Sequence, residues 1–404
     1  MGQLWKNTNS RMPAAGLGAM KCGLIESGPD SPNGHSIQHT INPMTSALFS
    51  TFTLRGLTLP NRIVVSPMCQ YMSEDGSAND WHVMHLGQFA MGAAGLVITE
   101  ATHVSRIGRI SHRCLGIYSD ENEFTLKRVV DFCRRNGVAK LGIQLAHSGR
   151  KGSVHTPAEG SKPLAAGERP WVTVAPSALP FAPGWHVPTA LTREGLAEVK
   201  QEFVDGAVRA ARIGFDLAEL HIGHGYLLHE FLSPLSNQRT DEYGGGTVNR
   251  MRFPLEVFAA VRAAFPVERP VGVRVSATDW VDAGWTPEET VLFARELKGL
   301  GCDFVDVTSG QVDPRQQIPF GPGYNVPLAE KVKKEAGIAV MAVGMITKPR
   351  QAEEIVASGQ ADLVAIARAM MDDPRWAWHA ARELGAETAY APNYVRCHPS
   401  GWKP

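Results

Sequence analysis

The sequence has no excess of charge of either sign. Its 404 residues include 40 Lys and Arg against 40 Asp and Glu, which leaves no formal net charge at pH 7. Proteins that bind nucleic acid or anionic membrane surfaces carry basic patches, so this balance argues against both kinds of partner. The sequence also lacks any run that approaches the roughly 18 consecutive apolar residues of a membrane-spanning helix. We therefore expect no nucleic-acid and no membrane partner, and a composition typical of soluble globular proteins.

Cysteine is scarce and scattered. The six cysteines form no Cys-x-x-Cys pair, which argues against a zinc ribbon or an iron–sulfur cluster. This pattern fits free thiols in a reducing compartment, so we expect a cytoplasmic location and no metal site. The cysteines are Cys22, Cys69, Cys114, Cys133, Cys302 and Cys397.

Residues 1–44 differ in kind from the rest of the chain. They are rich in Gly, Ser, Asn and Pro, show no strand or helix periodicity, and lack the apolar core of a secretory signal. Their few acidic residues leave an organelle-targeting role open. We expect a disordered or non-native N-terminal extension over 1–44, followed by one domain over 45–404.

From residue 63 onward, short β-branched runs alternate with longer amphipathic segments. Most of the runs are continuously apolar, as in a parallel sheet that is buried on both faces. A strand–helix unit repeated eight times predicts an α/β fold, the (β/α)8 TIM barrel. An open doubly wound sheet is the alternative, but the lack of Gly-x-Gly-x-x-Gly after the first strand favours the barrel. The predicted strands are Ile63–Ser66, Leu96–Thr99, Leu141–Leu145, Leu217–Leu220, Val271–Val275, Phe304–Val307, Val340–Val343 and Leu363–Ile366.

Two insertions interrupt this alternation. Residues 150–192, between the third strand and its helix, are Pro-rich and aromatic, and a connection of that length is uncommon unless it is functional. Residues 309–325 form a second Gly- and Pro-rich stretch. Because active sites of barrels lie at the carboxyl ends of the strands, we expect both insertions to cover that mouth as lids.

The segment His221–Tyr226 is the most informative stretch. It follows the short apolar run Phe215–Leu220, so it delivers two imidazoles and a phenol at a strand end. Imidazoles donate hydrogen bonds to a developing oxyanion and a phenol can give up a proton, which favours chemistry on a carbonyl compound. A structural role in the core is the alternative. A metal site is disfavoured because no carboxylate or thiolate spacing completes a tetrahedral set around His221 and His224.

Other strand ends carry polar side chains as well. The loops after strands seven and eight form the usual phosphate pocket of this fold, and Arg368 would add a charge-assisted clamp. Gln144 can pair with a planar ring edge and Arg274 can stabilise negative charge, so the ligand could be a flavin. Simpler roles stay open: Cys69 as an inert buried thiol, Tyr71 at the rim of the core, and Arg274 paired with a structural carboxylate.

Long stretches of the chain resemble the Old Yellow Enzyme family of FMN-dependent ene-reductases. Within that family they are most similar to the thermophilic-like branch, which includes the YqjM and xenobiotic reductases. Cys69 identifies the branch, because the yeast-type enzymes have a threonine at that place. The matching stretches are Ser66–Tyr71, Gln144–Lys151, His221–Asn237, Arg239–Gly245 and Val340–Ile346.

The resemblance implies noncovalent FMN at the barrel mouth. Position 367 departs from the family's usual Gly-Arg, and the methyl group of Ala367 would crowd the approach of a backbone N–H to the phosphate. The thiol of Cys69 would tune the redox potential of the flavin. The cofactor-binding residues implied are Ser66, Pro67, Met68, Cys69, Ala101, Gln144, His221, Arg274, Gly344, Ala367 and Arg368.

The implied reaction is two hydride transfers through one cofactor. NADPH or NADH reduces FMN and leaves, and an α,β-unsaturated ketone, aldehyde, maleimide or nitroalkene then takes its place. His221 and His224 would bind the activating oxygen of this small molecule, Tyr226 would supply the α-proton, and Tyr71 would help to hold the oxygen.

The resemblance also implies self-association. Tyr394–Arg396, within the predicted intersubunit tail 390–404, resembles the segment that reaches a neighbouring subunit's site, so we expect a homodimer or homotetramer with Arg396 acting in trans. The stretch Cys397–Pro404 departs from the family's usual ending, which leaves the tail's role open.

Three other functions stay open. A dienoyl-CoA-type relative would carry an iron–sulfur cysteine cluster, which the chain lacks. A barrel aldolase would need a Schiff-base lysine, for which Lys151 is the one candidate. A non-catalytic flavin-binding protein would keep Gln144 and Arg368 without needing the two histidines and the tyrosine.

Overall fold

The computed structural model describes residues 46–402, so the predicted extension over residues 1–44 lies outside the described residues. The helices are, in chain order, α1 (Asp80–Ala90), α2 (Asp120–Asn136), α3 (Arg193–Ile213), α4 (Leu227–Leu232), α5 (Thr247–Ala264), α6 (Pro287–Gly299), α7 (Val326–Ala336), α8 (Pro349–Ala357), α9 (Arg368–Asp372) and α10 (Trp376–Leu384). The strands are β1 (Phe52–Leu54), β2 (Leu57–Leu59), β3 (Ile63–Val65), β4 (Leu96–His103), β5 (Lys140–Ala146), β6 (Val174–Ala175), β7 (Thr189–Ala190), β8 (Leu217–Ile222), β9 (Val271–Ser276), β10 (Phe304–Thr308), β11 (Ala339–Ala342) and β12 (Leu363–Ile366).

Eight strands close into a parallel barrel, in the spatial order β3-β4-β5-β8-β9-β10-β11-β12, with β12 pairing back onto β3. Nearly every residue of these strands is buried, because the barrel interior covers one face and the surrounding helices cover the other. The prediction of a (β/α)8 TIM barrel is confirmed, and each predicted strand corresponds to one barrel strand.

The helices begin where the sequence supplies a capping oxygen. The side chains of Ser119, Thr192 and Thr286 each accept a hydrogen bond from the backbone N–H three residues further on. Such a cap satisfies one of the free amides of the first turn and stabilises a helix by about 1 kcal/mol. The caps therefore fix where the chain leaves each mouth loop and returns along the outside of the barrel.

Residues 52–59 form an antiparallel hairpin, β1–β2, that the sequence pattern did not predict. Leu54 and Leu59 pack into the same cluster as the inward-facing Val64, Phe304 and Leu363 of the barrel strands. Because the hairpin immediately precedes β3, it closes the amino-terminal end of the barrel. The opposite end is the one left for a ligand.

The strand before the two histidines is longer than predicted. β8 runs to Ile222, since His221 pairs with Arg274 and Ile222 pairs with Val275 of β9. The prediction that the strand ends at Leu220 is wrong, and the turn begins at Gly223. His221 is therefore held by sheet hydrogen bonding rather than by a flexible loop.

The insertion over residues 150–192 lies between β5 and α3, as predicted for a lid between the third barrel strand and its helix. It contains the short strand pair β6–β7 and three single turns of 3-10 helix, at Gly149–Lys151, Pro157–Glu159 and Ala166–Glu168. No helix within residues 46–402 combines the length and the hydrophobicity that a membrane crossing requires.

Candidate active site

A cavity of about 420 Å³ opens at the carboxyl ends of the barrel strands. It brings together residues from the turn after β8, from β9 and β10, and from the loops after β10, β11 and β12. Five of the predicted site residues line it: His224, Arg274, Gly344, Ala367 and Arg368.

The two histidines form a hydrogen-bonded chain whose direction follows from one backbone contact. The N–H of Gly223 donates to Nδ1 of His221 (3.2 Å), so the neutral imidazole of His221 carries its proton on Nε2. This Nε2 lies 3.2 Å from Nδ1 of His224, which therefore accepts. Nε2 of His224 then donates to the hydroxyl of Thr308 (3.0 Å).

Both imidazoles are uncharged at neutral pH. Burial, and after it the positive charge of Arg274, lowers the pKa of His221 and of His224 well below the usual value for histidine. A neutral imidazole with one N–H is a hydrogen-bond donor rather than a strong acid. The pair is therefore suited to binding an oxygen on which negative charge develops.

Tyr226 lies on the other side of His221, with the two rings edge to face and their centres 5.0 Å apart. Its ring packs in a small cluster with Cys69, Tyr71 and Cys114. Burial, followed by the proximity of Cys69, raises the pKa of the Tyr226 phenol well above its usual value. The phenol therefore keeps its proton at neutral pH and is able to donate it.

Cys69 and Tyr71 are placed by the end of β3. Burial, followed by the charge of Glu100, raises the pKa of the Cys69 thiol well above its usual value. Burial, followed by Cys69, likewise raises the pKa of Tyr71. The thiol of Cys69 and the phenol of Tyr71 are thus both neutral, and both can form hydrogen bonds as uncharged groups.

A buried polar network lies beneath the cavity. Nη1 of Arg274 donates to the hydroxyl of Ser66 (3.0 Å), and Nε lies 3.3 Å from a carboxylate oxygen of Asp306. Gln144 donates to Glu219 (2.8 Å), whose pKa is raised to about 8 by burial and then by the charge of Asp306. Pairing with a structural carboxylate was the simpler role left open for Arg274, and Asp306 is that partner. Arg274 also lines the cavity.

Asp306 and Thr308 of β10 belong to this site and were missed in the sequence. Strand Phe304–Thr308 reads Phe-Val-Asp-Val-Thr, and all five residues are buried. A single carboxylate in a buried apolar strand needs a charged or hydrogen-bonding partner. That reasoning would have pointed to an arginine on a neighbouring strand, which Arg274 provides.

The side of the cavity formed by the loop after β11 requires a glycine. Gly344 has a φ of +124°, and a Cβ atom there would lie 3.0 Å from the ring of Tyr324 and 3.1 Å from Nδ2 of Asn325. Asn325 is buried, and its Nδ2 has no hydrogen-bond partner among the described residues. An unpaired donor beside Gly344, with exposed Arg368 on the rim, fits a ligand that brings anionic oxygens.

The two insertions meet at the turn after β8 through Arg150 and Lys151. Nζ of Lys151 donates to the carbonyls of His224 (2.8 Å) and Gln311 (2.9 Å), and Nη2 of Arg150 donates to the carbonyl of Val312 (2.9 Å). Burial lowers the pKa of Lys151 to about 7. Lys151 therefore ties the histidine turn to the loop 309–325.

The remaining predicted residues lie around this cavity or away from it. Ala101 of β4 pairs with Gln144 of β5 and is buried, while Pro67 and Met68 are half-buried at the end of β3. Arg396 is exposed in a 3-10 helix, Pro392–Cys397, and does not line the cavity within this chain. Among the described residues, no group of three His, Cys, Asp or Glu side chains is placed to hold a metal ion.

Comparison with known proteins gives consistent matches. Residues 47–387 match the model of the NADH:flavin oxidoreductase / NADH oxidase family. The chain is 45% identical over 362 residues to an NADPH dehydrogenase of Geobacillus sp., covering 89% of this chain and 100% of the relative. It is 43% identical over 363 residues to an NADPH dehydrogenase of Listeria innocua, with coverages of 89% and 100%. The solved structure of morphinone reductase is similar with a TM-score of 0.71 and 27% identity, covering 87% of this chain and 93% of that one.

Proposed function

The chain belongs to the NADH:flavin oxidoreductase / NADH oxidase family and is an NAD(P)H-dependent flavin oxidoreductase, and we propose that it reduces electron-poor C=C bonds. The substrates proposed are α,β-unsaturated ketones and aldehydes, maleimides and nitroalkenes. The cofactor is FMN, which, when bound, would accept a hydride from the nicotinamide and then donate a hydride to the alkene. The chain's own residues have to bind the alkene, polarise it and give it a proton.

The residues that line the cavity support the following proposal for how FMN is held. Arg368 and the unpaired Nδ2 of Asn325 would hold the phosphate beside Gly344 and Ala367. The ring contacts proposed are the end of β3 from Ser66 to Cys69, together with Ala101, Gln144 and His221, and Arg274 would add positive charge at the ring edge. The fit rests on buried Arg274 and exposed Arg368, which both line the cavity, and on the space that a side chain at position 344 would fill.

His221 and His224 would donate hydrogen bonds to the activating oxygen of the substrate. Their N–H groups are already oriented, since one donates to the other imidazole and the second donates to Thr308. When the substrate oxygen replaces one of these acceptors, the N–H group remains a neutral donor in a buried site. A hydrogen bond to developing enolate charge is strongest in such a site. These contacts should lower the barrier more than they tighten binding.

Tyr226 would deliver the proton to the α-carbon. Its raised pKa keeps the phenol protonated, and its ring is fixed against His221 and by Lys151, whose Nζ lies 5.4 Å from the ring centre. Tyr71, in the same cluster, would help to hold the substrate oxygen. The single observation that carries the proposal is this pairing of two neutral imidazole donors with one protonated phenol at the same cavity.

The test is Tyr226→Phe, followed through both half-reactions by anaerobic stopped-flow absorbance. The phenyl ring keeps the packing, so flavin bleaching by NADPH should be unchanged, while reoxidation by cyclohexenone should slow by about 10²-fold, since a positioned general acid contributes that much or more. The matched control is Tyr243→Phe, whose hydroxyl lies 3.4 Å from Glu256 and outside the cavity. Unchanged reoxidation in Tyr226→Phe would remove Tyr226 from the proposed role.

We also propose a homodimer or homotetramer in which Arg396 reaches the neighbouring site. The support is its exposure, together with exposed Tyr394 and Val395 beside it on the same 3-10 helix. Sedimentation velocity on the native chain and on Arg396→Ala tests this. A monomeric native chain would contradict the proposal.

A further inference from the structure

A second, larger cavity of about 760 Å³ shares no lining residue with the first. Its walls come from the loops that follow the first three barrel strands: residues 72–79 after β3, residues 106–113 after β4, and Arg169 in the insertion after β5. Because the strands are parallel, these loops all leave the barrel at the mouth that carries the proposed active site.

The second cavity is rich in arginine. Arg106, Arg109, Arg113 and Arg169 line it together with His112, against two carboxylates, Glu74 and Asp75. Among the described residues, Asp75 is the one carboxylate within ion-pair distance of any of these arginines, 2.7 Å from Arg106 and 3.1 Å from Arg109. The cavity therefore keeps uncompensated positive charge.

Arg113 and Arg169 carry that charge. Both are exposed, and neither forms a salt bridge with a carboxylate in residues 46–402. The one side-chain hydrogen bond of the Arg113 guanidinium is to the sulfur of Met72 (3.6 Å). Guanidinium groups without a carboxylate partner are the preferred ligands of a phosphate monoester, which they bind through paired N–H donors.

Arg109 gives the cavity a rigid wall. Arg109 is only 5% exposed, and its guanidinium donates to the carbonyl of Arg106 (2.9 Å) and lies 5.5 Å from the ring centre of Trp171. The ring of Trp171 in turn packs edge to face on His112 (5.1 Å between ring centres). The loop that carries Arg113 is thus fixed by buried contacts, so little ordering is needed when a ligand binds.

The arginine cavity is continuous with the proposed active site along the chain. Met72 directly follows Tyr71, and Arg113 directly precedes Cys114. Tyr71 and Cys114 both pack in the cluster that contains Tyr226. The loops that carry Met72 and Arg113 are therefore the same loops that bring Tyr71 and Cys114 to Tyr226.

We propose that this cavity binds the 2′-phosphate of NADPH through Arg113 and Arg169, and that it makes the enzyme prefer NADPH to NADH. The inference rests on the proposed function, since it assumes that the nicotinamide enters the site at Tyr226. NADH carries a 2′-hydroxyl at the same position and gains nothing from the two guanidinium groups.

The test compares the two coenzymes in Arg113→Gln, Arg169→Gln and the double variant. Anaerobic stopped-flow reduction of the flavin should show a loss in kcat/KM for NADPH of about tenfold per arginine, the usual size of one charge-assisted contact. The value for NADH should be unchanged. Arg135→Gln, at an exposed arginine near the end of α2, is the matched control and should affect neither coenzyme. Equal losses for both coenzymes, or none for either, would overturn the proposal.

A binding measurement separates this inference from the proposed function. Titration calorimetry of the FMN-loaded enzyme with adenosine 2′,5′-bisphosphate and with 5′-AMP requires no turnover. The bisphosphate should bind at least tenfold more tightly, and the double variant should abolish the difference. Equal affinities in the native enzyme refute the phosphate site even if alkenes are reduced, whereas a bisphosphate preference without alkene reduction refutes only the proposed function.

Discussion

Gly225→Ala should damage the catalytic turn because this glycine touches the backbone of the loop 309–325. Gly225 has a φ of +71°, and a Cβ atom there would lie 2.3 Å from the carbonyl oxygen of Gln311 and 2.7 Å from Cα of Val312. A left-handed conformation costs an alanine about 1–2 kcal/mol. A backbone clash that forces two segments apart adds about 1–3 kcal/mol.

The matched control separates these two costs. Gly245 has a similar φ of +80°, but an added Cβ atom would meet no other atom within 4 Å. Gly245→Ala therefore carries only the conformational cost, reduced by about 0.4–1 kcal/mol because alanine restricts the unfolded chain. The free energy of unfolding from urea titration should fall about 1–3 kcal/mol further in Gly225→Ala than in Gly245→Ala.

The same pair of variants reports on function. Position 225 lies between His224 and Tyr226 in the chain, so the clash with the loop 309–325 would displace both side chains. A shift of about 1 Å in a catalytic group can cost about 10²-fold in rate. Reoxidation of the reduced enzyme by cyclohexenone should therefore slow strongly in Gly225→Ala and stay near the native rate in Gly245→Ala. Equal stability and equal rates in the two variants would refute the reasoning that the loop 309–325 clamps the turn.

Two further predictions follow from buried polar groups. Thr308→Val removes the acceptor that orients Nε2 of His224 before the substrate oxygen takes its place. The loss of this orienting contact, about 0.5–1.5 kcal/mol, should slow alkene reduction about threefold to tenfold while leaving flavin reduction by NADPH intact. Exposed Thr53→Val is the control. Glu230 is buried, and burial raises the pKa of its carboxyl group to about 8. Between about pH 5 and pH 8 the native state therefore holds a proton that the unfolded chain has lost. The free energy of unfolding of the native chain should fall as the pH rises through this range. A glutamine side chain cannot ionise, so the free energy of unfolding of Glu230→Gln should rise relative to that of the native chain by about 1 kcal/mol per pH unit in this range. Urea titrations at about pH 5.5, 6.5 and 7.5 measure both proteins. The same pH dependence in both would contradict the assignment.

The barrel was predictable because its signals are local. Runs such as Val271–Val275 and Leu363–Ile366 are continuously apolar and β-branched, which is sufficient to indicate strands buried on both faces. The hairpin β1–β2 escaped prediction because each of its strands has three residues. Its role, closing the barrel with Leu54 and Leu59, depends on residues far along the chain.

The candidate site was predictable only in part, for a related reason. Three candidate residues lie within six positions of the sequence, so a shared role could be predicted from the sequence alone: His221, His224 and Tyr226. Asp306 and Thr308 come from another strand, at least 80 residues away from the turn. The ion pair of Asp306 with Arg274 and the hydrogen bond of Thr308 with His224 exist only because β8, β9 and β10 are neighbours.

The sequence by itself determined the family, the barrel and the candidate reacting groups, because strand periodicity and short motifs are properties of neighbouring residues. Only the tertiary structure decided the protonation and the direction of those groups. The pKa of the imidazoles is low because burial and Arg274 act on them together, and the arginine cavity exists because three loops distant in the chain leave the barrel at one end. Charge in a buried site depends on every element that surrounds it, and no linear motif contains that information.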